Sequence, residues 1–200
     1  MEGVANGKEG MVRNMLHIVA GIIFLMLSKS PFAAEISDTS IDGSAIRPGC
    51  AVVFEREYQH QSVGSLGAAP FFVLPIWTCD DRSVLIDRYD INGASAEVVE
   101  GLLLKNQALI VLVRWAISSR AADFSGHFYR VFIYRHISFD GAEAFIRDCS
   151  GMGAFPEGWD GVWKNGKSAV FQYKDANSIV RKLSKVWHNP EVLEFRKKQR

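Results

Sequence analysis

Residues 108–117, ALIVLVRWAI, and 127–136, HFYRVFIYRH, constrain this chain more than any other part of it. In an extended chain alternate side chains point to opposite faces. The first run is then apolar on both faces except at Arg114. The second sets His127, Tyr129, Val131, Ile133 and Arg135 on one face and Phe128, Arg130, Phe132, Tyr134 and His136 on the other. A strand that is apolar on both sides is buried on both sides. The pair therefore predicts a sheet centre covered on one face by a C-terminal helix and on the other by a loop layer or a second sheet. Val131, Ile133, Phe128 and Phe132 are expected inside. The polar tips of Arg130, Tyr134 and Arg135 are expected to reach an edge, as snorkelling ends that a partner can meet.

The segment before residue 35 reads as an address and not as part of the fold. Arg13 gives a positive start, residues 15–27 are an almost unbroken apolar run, and Ala33 and Ala34 follow Pro31. That order is the pattern of a secretory signal, and the run is shorter than the roughly 20 residues a spanning helix needs. Phe32 stands where cleavage after Ala34 favours a small residue. The polar MEGVANGKEG ahead of the run suggests Met11 as the start. An uncleaved signal acting as a membrane anchor is the alternative; either way the body is expected outside the cytoplasm, in the periplasm or secreted. Cys50, in RPGC, lacks an apolar lipobox before it and does not read as a lipid anchor.

Lys8, Arg13 and Lys29 against Glu2 and Glu9 account for the net charge of +1, so the chain beyond residue 34 is balanced. A nucleic-acid binder carries a strongly basic domain, and none is expected here. The remaining asymmetry is a basic end: seven basic residues lie in 181–200, opposed by Glu191 and Glu194. All three cysteines, Cys50, Cys79 and Cys149, follow the leader. In an oxidising compartment that number means one bridge and one thiol left over. If residues 50–57 and 71–79 pair as a hairpin centred near Gly64, Cys50 falls opposite Cys79, so these two are expected to bridge.

Turn signals divide the rest. Residues 35–48 are rich in Ser, Asp, Thr and Gly and read as a flexible lead-in. Short runs follow at 50–57, 71–79 (where Pro75 implies an edge or bulge), 84–89, 98–104, 108–117 and 128–137. Residues 160–163 and 168–173 flank Asn165-Gly166, a strong hairpin signal. Only the end is helical. Asp175 can cap a helix whose Ile179, Val180, Leu183, Val186 and Trp187 share a face opposite Arg181, Lys182 and Lys185. Asn189 and Pro190 open a second helix with Glu191 early and Arg196, Lys197 and Lys198 late, as the helix dipole favours. The expectation is an α+β fold: one domain over 49–200, predominantly antiparallel and meander-like, ending in an amphipathic helical pair.

Chemical motifs are sparse. DRYDING aligns with a calcium loop at Asp90, Asn92 and Gly93, but Arg88 would take the first ligand position and Val99 the last, which excludes it. Asp80 and Asp81 are adjacent on an extended chain and read as a solvated turn. GMGAFPEG lacks the lysine and setting of a phosphate cradle. His127 and His136 point to opposite faces and cannot share a metal. No metal or cofactor is expected. SGMGAFPEGWDGVW concentrates Met152, Phe155, Trp159 and Trp163 where there is little room for regular structure; it can complete the core or form an aromatic lip of the kind that dominates recognition surfaces. The favoured reading is a non-catalytic, exported protein-binding module, such as an inhibitor or immunity-type protein, with Arg130, Tyr134, Arg135, Phe155, Trp159 and Trp163 facing another protein. The alternatives are a small envelope hydrolase, which needs His127 or His136 beside Ser125, Ser138 or Cys149, and a structural envelope component held near the membrane by its basic tail.

Overall fold

The computed structural model describes residues 36–59, 69–80, 82–105, 108–119 and 123–187. They form two antiparallel sheets and a single helix of more than one turn. The first sheet is a meander of β1 (Ile36–Asp42), β2 (Cys50–Tyr58), β3 (Phe71–Cys79) and β4 (Arg82–Leu85), in that spatial order. The second contains β5 (Ala96–Leu103), β6 (Ala108–Ser119), β7 (Phe124–Phe139), β8 (Ala142–Arg147), β9 (Gly158–Trp163) and β10 (Ser168–Ala169). Its order is β10-β9-β7-β6-β5, and β8 also pairs with β7.

β6 and β7 lie in unbroken register from Ala108↔Arg135 to Ser119↔Phe124. The opposite edge of β7 is shared. β9 takes Phe124 to Tyr129, β8 takes Tyr134 to Phe139, and the chain between them carries the single turn α1 (Cys149–Met152).

The two-faced character of β6 and β7 produces two cores. Leu109, Val111, Val113, Trp115, Phe132 and Tyr134 pack against Val52, Phe54, Val73 and Trp77 of the first sheet. Ile110, Leu112, Tyr129, Val131 and Ile133 pack on the other side against Phe155, Phe171 and the helix α2 (Ala176–Val186). Asp175 caps that helix by accepting from the Ser178 amide, and Ile179, Val180 and Leu183 are its buried stripe. The expected helix and second-sheet covers are both present. The second helix expected at 189–200 and the signal segment lie outside the described residues.

Several expectations are corrected. Residues 36–42, expected as a flexible lead-in, form β1, because Ile41 has an apolar neighbour to pack on and the strand registers along β2 as far as Asp42↔Ala51. β3 is flanked by β2 and β4, so it is not an edge strand; Pro75 is accommodated because β4 ends opposite it, where the Pro75 carbonyl accepts from the Ile86 amide. β8 escaped the sequence reading although Asp140-Gly141, a two-residue turn with both φ positive, announces it. Cys50 stands opposite Cys79 in the β2–β3 register and is bonded to it, while Cys149 is a free, exposed thiol.

Leu183→Asp is expected to destabilise the fold by several kcal/mol, because it buries an unpaired charge. Lys182→Asp should cost less than about 1 kcal/mol. Phe132→Ala, at 4% exposure, should cost about 3–5 kcal/mol. Chemical denaturation of the three variants measures all of these.

Candidate functional site

The face of β7 that carries Phe124, Gly126, Phe128, Arg130, Phe132, Tyr134 and His136 is covered by the first sheet at one end and open at the other. At the open end β9 matches β7 residue by residue: Phe124↔Trp163, Gly126↔Gly161, Phe128↔Trp159. Each strand reads aromatic–glycine–aromatic. The glycines are required by space. A Cβ on Gly126 would overlap the Asp160 carbonyl oxygen and lie 2.6 Å from Gly161 Cα; one on Gly161 would overlap the Ser125 carbonyl oxygen and lie 2.8 Å from the tip of the Phe124 ring.

The rings close over this glycine floor. Phe124, 3% exposed, sits between Trp159 and Trp163 at centroid distances of 5.0 and 4.8 Å. Trp159 also meets Phe128 at 5.1 Å and Trp163 at 6.2 Å. Phe128 in turn faces Trp115, whose indole donates to the Asp90 carbonyl. Cross-strand aromatic contacts of this kind make up for packing that the glycines cannot supply. Trp159 nonetheless keeps 38% of its surface exposed.

Further along the same face, Arg130 and Arg147 bracket Phe132, with guanidinium carbons 5.3 and 5.8 Å from the ring centroid. Each arginine also has a carboxylate. Arg130 Nε is 3.4 Å from Glu157, and Arg147 grips both oxygens of Asp87 at 2.6 and 2.8 Å. Asp87 further accepts from the Tyr134 hydroxyl at 2.6 Å, and Tyr134 lies 3.2 Å from the Tyr89 hydroxyl. Burial works to raise the Asp87 carboxyl, but the bonds from Arg147 and Tyr134 outweigh it and hold it below the ordinary carboxylate value. Burial pushes both tyrosine hydroxyls well above theirs. Neither tyrosine is set up to act as a base near neutral pH.

Of the six residues expected to face a partner, Trp159, Trp163 and Arg130 lie on this one face. Tyr134 does not reach an edge: it is fully buried, because its hydroxyl finds Asp87 and Tyr89 inside. Phe155 is 3% exposed and belongs to the core beneath α2. Arg135 is exposed on the opposite face, bonded to Asp148 and set over Trp187. Sequence reasoning missed Arg147 and Asp87: the β7–β8 turn sets Arg147 beside Tyr134, and only the packing of the segment after β4 on the second sheet brings Asp87 to them. Asp90, Asn92 and Gly93 make a tight turn with Gly93 in the left-handed region, and Arg88 lies over Phe72. Neither ring nitrogen of His136 has a hydrogen-bond partner, and His127 stands opposite Asp160, whose carboxylate binds Lys174 and the Phe171 amide.

No protein-family model, curated protein or solved structure matches the chain. Among the described residues no helix is long and apolar enough to cross a membrane.

Gly161→Ala tests the glycine floor. The methyl has only backbone and the Phe124 ring to displace, so a loss of about 1–3 kcal/mol is expected, with a change in the near-ultraviolet dichroism of the tryptophans.

Proposed function

We propose that this chain is an exported, non-catalytic protein-binding module, of inhibitor or immunity type, that meets its partner with the ledge of Trp159, Trp163 and Arg130. One observation carries the reading. Phe124 is buried directly over the Gly161 backbone, whereas Trp159 stays 38% exposed beside it. Completing a core does not require a tryptophan in that position. A half-exposed indole held rigid by its neighbours, with an arginine on the same face, has the composition of an interface hot spot: much area to bury and little entropy left to lose. The ion pair of Arg130 with Glu157 supplies a polar rim. Export rests on the leader pattern, and the Cys50–Cys79 bond is compatible with an oxidising compartment.

The test is capture from periplasmic extract by the mature domain, followed by affinity measurement with the partner recovered. Trp159→Ala is expected to weaken that complex by at least about 30-fold, the size of a central aromatic anchor, and Arg130→Ala by less. Arg135→Ala, on the other face, should leave it unchanged. Equal affinity for the Trp159→Ala variant and the native chain would remove the ledge from the interface.

A further inference from the structure

At the covered end of the same strand face lies a polar group with no bond to make. Among the described residues, the buried side-chain nitrogen and oxygen atoms that lack a hydrogen-bond partner are the two ring nitrogens of His136. Its side chain is 4% exposed. Trp77 of β3 and Phe145 of β8 enclose the ring at centroid distances of 5.9 and 5.1 Å. An unsatisfied buried polar group costs free energy, and a position enclosed by Trp77 and Phe145 does not need an imidazole.

The charged group facing it is Glu143 of β8. Glu143 Oε1 is 3.7 Å from His136 Nε2, just beyond hydrogen-bond length, and 3.6 Å from Arg47 in the turn between β1 and β2. Its other oxygen accepts from the Trp77 indole at 3.0 Å. Among the described residues, the other titratable groups nearby are engaged elsewhere: Cys50 and Cys79 are bonded to each other, and Asp87, Arg147 and Tyr134 are bonded together. Glu143 therefore links the β7–β8 hairpin to the first sheet through Trp77 and Arg47, and His136 stands beside that link.

We propose that His136 and Glu143 form an acid-sensitive joint between the two sheets, closed while the imidazole is neutral and loosened when it takes a proton. A proton on His136 puts a charge into the aromatic enclosure, and its one available partner is a carboxylate already committed to Trp77 and Arg47. Relief requires the hairpin to shift, either to let Glu143 turn to the imidazolium or to admit water. Burial pushes the imidazole below its ordinary value of 6.5, and the Glu143 carboxylate pulls the other way without cancelling that effect. The sign follows. The unfolded chain takes the proton as pH falls through 6.5, while the folded chain resists it, so the stability that neutral His136 permits is present above that pH and is lost below it.

The experiment is chemical denaturation of the full, disulfide-bonded chain between about pH 7.5 and about pH 5, for the native sequence, His136→Gln and His136→Phe. The native unfolding constant is expected to rise, relative to both variants, by up to about tenfold per pH unit below 6.5, the effect of one proton. Amide protection in β8, corrected for intrinsic exchange, should be lost in the native chain before protection in β6. Parallel pH profiles for the native chain and the variants would overturn the proposal. If neither variant folds, nuclear magnetic resonance titration of the native imidazole decides: a folded-state midpoint below 6.5 supports the joint, and a midpoint at or above 6.5 overturns it. Removing the ledge tryptophans should leave this dependence intact, so the joint and the binding surface can fail separately.

Discussion

The twelve-residue register of β6 against β7 is the constraint from which the other elements follow. Both strands present apolar side chains on both faces, so neither face can be left to water. One cover comes from the first sheet and the other from α2 with Phe155 and Phe171. Either cover removed exposes a whole strand row, which is why the fold needs a second sheet as well as a helix and why its two cores share the same two strands.

That constraint also explains where the molecule has freedom. The first sheet covers one end of the β7 face, which passes from a sealed end at Tyr134 and His136 to an end at Phe124 and Phe128 met by the aromatic rings of β9. The sealed end must satisfy every polar atom, and it does so for Tyr134 with Asp87 and Tyr89 but not for His136. The open end must satisfy none, and there Phe128, Trp159 and Trp163 remain partly accessible around the buried Phe124. The sensing and binding roles proposed above thus occupy the two ends of one strand face.

Much of the architecture was legible because it depends on local pattern. Residues 108–117 and 127–136 declared their two-sided burial, Asp175 and the Ile179, Val180, Leu183 stripe declared α2, and Cys50 and Cys79 declared their bond once the hairpin was assumed. The errors came where tertiary context decides. Nothing in the composition of residues 36–42 marks them as a strand; pairing with β2 makes them one. Tyr134 and Arg130 stand on one strand face four residues apart, yet Tyr134 is sealed and Arg130 is half exposed, a difference set by how far the first sheet extends. Phe155 looked like its neighbour Trp159 in sequence, but α1 turns it under the helix. The aromatic–glycine–aromatic match between β7 and β9 was visible in each strand separately and acquires meaning only from their register.

The order of the pairings has a kinetic consequence. β1 through β4 and β5 through β8 each join strands that follow one another in the chain, and β9 reaches β7 by passing only β8. Contacts between close neighbours in sequence form quickly, so each sheet can assemble by itself before the two meet. The Cys50–Cys79 bond lies inside the first sheet. It secures one hairpin and spans no gap between the sheets. Oxidation can therefore precede their docking, and the closure of one sheet on the other relies on burial and on polar contacts such as those of Glu143 and Asp87.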